Sequence, residues 1–85
     1  MAMKDGDIVL EVLYPRARVA RYMPDGKGGV VVEYADPQPP VVVLLVAMRK
    51  AGIRPRDTGV YPASRLITAW AERKRPRWKR AELHA

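Results

Sequence analysis

Pro39-Pro40-Val41-Val42-Val43-Leu44-Leu45-Val46-Ala47-Met48-Arg49-Lys50-Ala51-Gly52-Ile53 is the stretch on which the fold turns. Its eight consecutive apolar residues, Val41 to Met48, offer no polar face, so the element is expected to be covered on most sides and to sit at the centre of a small core. The β-branched content suits a buried strand. The end of the run favours a helix instead. Arg49 and Lys50 fall in a last helical turn, where cations complement the dipole. Gly52 stands where a left-handed cap is wanted, Ile53 where its hydrophobic contact belongs, and Pro55 where the chain must leave. Pro39 or Pro40 can open a helix but cannot continue one. The pattern predicts a buried apolar helix at about 40–51, with a strand as the alternative.

Upstream, Asp5-Gly6-Asp7 is a turn signal, and Ile8 to Tyr14 reads as a first strand with both faces partly covered and Glu11 pointing out. Pro15 ends it. Arg16 to Met23 reads as a second strand; Arg21 breaks the parity of Arg16 and Arg18, so a bulge near Val19-Ala20 is expected. Pro24-Asp25-Gly26-Lys27-Gly28-Gly29 is a turn. It lacks the spacing of a phosphate-binding loop and the Ser/Thr that should follow one. Val30 to Ala35 is a third strand, broken by Asp36-Pro37-Gln38-Pro39-Pro40. These segments predict an N-terminal three-stranded antiparallel meander in a mainly β, α+β domain.

Downstream, Arg54-Pro55-Arg56-Asp57-Thr58-Gly59 is a basic loop. Two readings fit residues 60–74. One is a short strand at Val60-Tyr61, one tight helical turn at Pro62 to Arg65 and a last strand at Leu66 to Trp70. The other, which the apolar spacing favours, is a helix opened by Pro62 and running to about Lys74, with Ala63, Leu66, Ile67 and Trp70 on one face. Pro76 ends either. Residues 1–75 are expected to form a single compact domain and 76–85 a basic C-terminal tail.

Lys4-Asp5-Gly6-Asp7-Ile8-Val9 followed by a hairpin, and later Val60-Tyr61-Pro62-Ala63-Ser64-Arg65-Leu66-Ile67, resembles the opening and closing segments of small SH3-like barrels. The resemblance implies a compact barrel of a kind that often serves as a nucleic-acid or peptide adaptor. The long apolar element between the third and fourth strands departs from that pattern.

The chain is 85 residues long, enough for one domain near the low end of what a single apolar core stabilises. It has no Cys, which rules out a disulfide scaffold and a thiolate metal site and fits a cytoplasmic protein. No run approaches the ~18 apolar residues of a membrane span, and the N-terminus has no apolar signal region. The net charge of +7 is unevenly placed: residues 1–42 carry five Lys/Arg against six Asp/Glu, residues 43–85 eleven against three. All the excess positive charge lies in the second half, as a polyanionic partner favours. A basic surface that merely keeps the domain soluble is the plainer alternative.

Catalysis finds little support. The single His, His84, stands next to the C-terminus, and Asp5, Asp7 and Asp25 read as turn residues. Ser64 has no base near it in sequence and reads as a helix start. No enzyme activity, cofactor or metal site is expected. The strongest feature is Arg73-Lys74-Arg75-Pro76-Arg77-Trp78-Lys79-Arg80, six cations in eight residues around a Trp. Lys and Arg neutralise phosphates and release counterions, and Trp78 could stack on an unpaired base for about 1–3 kcal/mol. Packing of Trp78 back onto the domain is the blander alternative. Anionic headgroups would also suit Arg/Lys with Trp, but no long amphipathic helix accompanies them, so a membrane is not expected as partner. A second basic set, Arg49, Lys50, Arg54 and Arg56, surrounds the end of the central element and would join the first in one stripe if the tail folds alongside. Arg16, Arg18 and Arg21 could extend that stripe or pair with Glu11 and Glu33 across the sheet. Tyr22, Tyr34 and Tyr61 fit the core edge better than a stacking platform.

The expected function is therefore non-enzymatic binding of DNA or RNA, through phosphate contacts from residues 49–56 and 73–80 and without an evident recognition helix. The alternative is a protein-interaction or assembly subunit with no nucleic-acid role. A homo-oligomer burying excess apolar surface is compatible with both.

Overall fold

The computed structural model describes residues 7–81 and places, in chain order, β1 (Ile8–Leu13), β2 (Arg16–Pro24), β3 (Val30–Asp36), α1 (Val41–Lys50), β4 (Gly59–Pro62), α2 (Arg65–Lys74) and β5 (Arg77–Arg80). The turn expected at Asp5-Gly6-Asp7 lies largely outside the described residues, as does His84.

The central run is the helix, and its end explains why. Ile53 N–H donates to the Met48 carbonyl at 2.9 Å and Gly52 N–H to that of Arg49 at 3.1 Å, with Gly52 at φ +73°. This paired closure satisfies carbonyls that a strand-former's side chains cannot reach, and Ile53 then packs on the core. Gly52→Ala should cost about 1 kcal/mol, because a Cβ is strained at that φ although nothing crowds it. An unchanged urea midpoint would contradict this cap.

The helix is not covered on most sides, contrary to expectation. Leu44, Ala47 and Met48 are buried, whereas Val41, Val42, Leu45 and Val46 are 70, 64, 50 and 39% exposed. An all-apolar run cannot announce which stripe faces inward.

All strand pairs are antiparallel, in the order β4-β1-β2-β3-β5. The expected meander is β1-β2-β3. Its second turn is held by Asp25, whose Oδ1 accepts from Lys27 N–H at 2.6 Å and Gly29 N–H at 2.9 Å, with Gly26 and Gly28 at positive φ. The β1–β2 ladder runs without interruption from Ile8↔Arg21 to Leu13↔Arg16, so no bulge occurs at Val19-Ala20. Where the prolines end β3, the Gln38 side chain continues the ladder: Oε1 accepts from Val19 N–H at 2.7 Å, and Nε2 donates to the Val19 carbonyl at 2.9 Å and the Ala35 carbonyl at 2.8 Å.

Side chains alternate across the sheet. Leu10, Val12, Val19 and Ala35 share one face and build the core with Leu44, Ala47 and Met48 of α1 and Ile67, Trp70 and Ala71 of α2. Both readings of 60–74 are partly realised. Val60 and Tyr61 lie in β4, and the helix begins at Arg65 instead of Pro62. Ser64 is its N-cap residue, yet its hydroxyl makes no capping bond and lies buried without a partner among the described residues.

Two further expectations change. The SH3-like resemblance implies a closed barrel; among the described residues the sheet is open, with β4 and β5 as its two edges. The segment read as a basic tail includes strand β5, which pairs with β3 from Asp36↔Arg77 to Glu33↔Arg80.

Candidate nucleic-acid interface

The basic segment at 73–80 becomes a continuous ridge along one sheet edge. Arg73 and Lys74 occupy the last turn of α2, where their charge complements the helix C-terminus. Arg75 N–H closes on the Ala71 carbonyl at 2.8 Å, and Arg75 takes φ +47°. Pro76 bars further helix, and the chain turns directly into β5. Alternation then divides the strand. Arg77 and Lys79 share the sheet face with their register partners Asp36 and Tyr34; Trp78 and Arg80 take the other.

Among the described residues, Arg73, Lys74, Arg75, Arg77 and Arg80 form no ion pair, and all five are exposed. Lys79 Nζ lies 2.7 Å from Asp36 Oδ2, and that carboxylate raises the Lys79 pKa through the hydrogen bond and its charge. Trp78 is half-buried against the core, with the Arg21 guanidinium 4.9 Å from its ring centroid. Its ring therefore anchors β5, which is the blander of the two roles read from the sequence. Arg80 faces a polar depression of about 490 Å³ shared with Arg21, Lys27, Asp25 and Glu33.

The second set lies elsewhere. Arg49 and Lys50 end α1, and Arg54 and Arg56 stand in the exposed loop leading into β4, the edge opposite β5. Arg54 Nε lies 3.6 Å from Asp57 Oδ2. Three strands separate β4 from β5, so the loop that carries Arg54 and Arg56 enters the sheet at the edge opposite β5, whereas Arg49 and Lys50 end the helix that packs on α2.

Arg18 and Arg21 are engaged across the sheet, each with its register partner or neighbour. Arg21 Nε reaches Glu33 Oε1 at 2.7 Å, and Arg18 Nη2 reaches Glu11 Oε1 at 3.0 Å. Arg16 is exposed and has no ion pair among the described residues. The expectation that Glu11 points into solvent fails for a physical reason. Glu11 is only 8% exposed because three neighbours supply donors: Arg18, the Tyr22 hydroxyl at 3.1 Å and the Tyr34 hydroxyl at 2.9 Å. The Arg18 guanidinium also lies 4.1 Å from the Tyr34 ring centroid. This network stiffens the face beside Lys79, and its clue in the sequence is one carboxylate opposite Arg18 in an otherwise apolar strand.

Burial, followed by the hydrogen bond and negative charge of Glu11, pushes the Tyr22 phenol up from its ordinary 10 to about 12. Tyr34 is pushed in the same direction by the same causes. The fold stabilises the neutral phenols, so their contribution is complete below pH 10 and is lost as pH rises from 10 through about 12. Urea unfolding across that window should show falling stability, less steeply in Tyr22→Phe. Parallel profiles for the two proteins would contradict the network.

Among the described residues no group of His, Asp or Glu is placed to hold a metal ion, and no helix is long and apolar enough to cross a membrane. No family model, curated protein or solved structure matches the chain.

Proposed function

We propose that this protein binds the phosphate backbone of DNA or RNA, without catalysis, along the ridge formed by the end of α2 and by β5. One observation carries the proposal: five exposed cations within eight consecutive residues have no carboxylate partner among the described residues. Charge concentrated this way and left uncompensated costs self-repulsion that a polyanion relieves. The rise per residue along β5 brings Arg77 and Lys79 about 7 Å apart on one face, close to the spacing of successive phosphates in an extended strand. Arg49 and Lys50 at the end of α1, with Arg54 and Arg56 in the loop before β4, add to the positive field of the domain. Contacts of this kind position a backbone and read no bases. The Cys-free sequence supports a cytoplasmic setting.

Fluorescence anisotropy with labelled single-stranded DNA, duplex DNA and RNA tests the proposal. Binding is expected at low salt, with log K falling linearly against log salt at a slope of about −3 to −5. No binding at low salt, or binding indifferent to salt, would end it.

A further inference from the structure

The outer stripe of α1 is the feature that polyanion binding leaves unused. Val41, Val42, Leu45 and Val46 lie uncovered side by side on one helix, and Leu13 at the end of β1 and Tyr14 in the β1–β2 turn are exposed as well. Between α1 and that turn runs a cleft of about 250 Å³, walled by Val41, Leu44, Leu45, Met48 and Pro15, with Arg16 among its lining residues. A shallower hollow continues it, formed by Tyr14, Pro55, Arg54 and Arg56. Among the described residues, neither depression is lined by a carboxylate.

We propose that this cleft is a docking site for a short peptide segment of another protein, one carrying two or three large apolar side chains flanked by Asp or Glu. Three observations select that occupant. First, contiguous exposed apolar surface of this kind marks an interaction site. Second, the walls are built mainly of aliphatic side chains and proline, namely Val41, Leu44, Leu45, Met48, Pro15 and Pro55, a lining that takes up apolar side chains. Third, the surrounding charge is of one sign. Arg16 and Arg18 line the cleft, Arg49 and Lys50 end α1, and Arg54 and Arg56 line the hollow that adjoins it.

The same charges argue against a second copy of this chain. Two copies packed through this face would set cations against cations, because neither depression has a carboxylate among its described lining residues. The carboxylates beside the lining residues in sequence are already engaged: Glu11, next to Val12, by Arg18 at 3.0 Å, and Asp57 by the Arg54 side chain at 3.6 Å and backbone N–H at 3.0 Å. An acidic apolar segment fills the groove and neutralises its rim together, the helix-in-groove mode with charge selecting the partner.

The probe is a labelled amphipathic peptide with Leu at i, i+4 and i+7 and Asp/Glu elsewhere. The comparisons are a version with Lys replacing the acids and a scrambled acidic peptide of identical composition. Anisotropy should show the acidic amphipathic peptide binding at least tenfold tighter than either. Leu45→Ser with Val41→Ser, both exposed and both in the cleft wall, should reduce that binding at least tenfold while leaving Tm and nucleic-acid affinity unchanged. Arg16→Gln with Arg49→Gln should weaken it severalfold. The Gln variant of the 73–79 cations should bind the peptide as wild type does, which separates this site from the polyanion ridge. Equal binding of the scrambled peptide, indifference to Leu45→Ser, or no binding at all would overturn the proposal. So would a dimer, seen by light scattering, that Leu45→Ser dissolves.

Discussion

Replacing Arg73, Lys74, Arg75, Arg77 and Lys79 together by Gln is expected to cut nucleic-acid affinity at low salt by roughly 100- to 1,000-fold and to flatten the salt slope by about 3 to 4. Each phosphate neutralised releases somewhat less than one counterion, so five contacts set the upper bound, and Lys79 falls short of a full contribution because Asp36 already holds it. The fold should survive. The five side chains are exposed, Gln forms helix nearly as well as Arg or Lys, and the left-handed strain at residue 75 is the same for either side chain. Anisotropy gives the affinity and thermal unfolding supplies the control. Unchanged affinity in a variant with unchanged Tm would move the interface off β5.

Trp70→Ala is expected to lower the unfolding free energy by about 3–5 kcal/mol. A domain of 85 residues holds in total about 4–13 kcal/mol, so the variant is expected to unfold in part at ordinary temperature. Trp70 is 3% exposed and packs in the one core formed by both helices and the sheet. It lies one turn before Arg73 and Lys74, so the same packing that stabilises the domain holds the start of the basic ridge in place. Trp70→Phe fills more of the space and should cost less. Urea unfolding followed by circular dichroism measures both; a loss below about 1 kcal/mol for Trp70→Ala would mean that α2 does not dock through this side chain.

What could be read from the sequence was local. Gly52, Ile53 and Pro55 mark the end of α1 because a helix cap is built from consecutive residues, and Asp25 with Gly26 and Gly28 marks the β2–β3 turn for the same reason. What could not be read depended on partners far along the chain. Arg77 to Arg80 shows no strand pattern of its own; its ladder is supplied by the free edge of β3, some forty residues earlier. Glu11 looks like an outward charge until register sets Arg18 opposite it and brings Tyr22 and Tyr34 within reach. The four exposed positions of α1 are invisible because every residue from Val41 to Met48 is apolar, leaving no contrast between inner and outer faces. The six cations were legible as a composition; that five of them lack a carboxylate among the described residues required coordinates.

Backbone amide shifts in nuclear magnetic resonance, recorded as a short single-stranded oligonucleotide is titrated into the protein at low salt, locate the interface directly. The largest changes should fall on Arg73 to Arg80 and on their β3 neighbours Tyr34 and Asp36, and should fade as salt is added. Changes confined to α1 and the 54–58 loop, or none anywhere, would contradict a polyanion-binding ridge on the β5 edge.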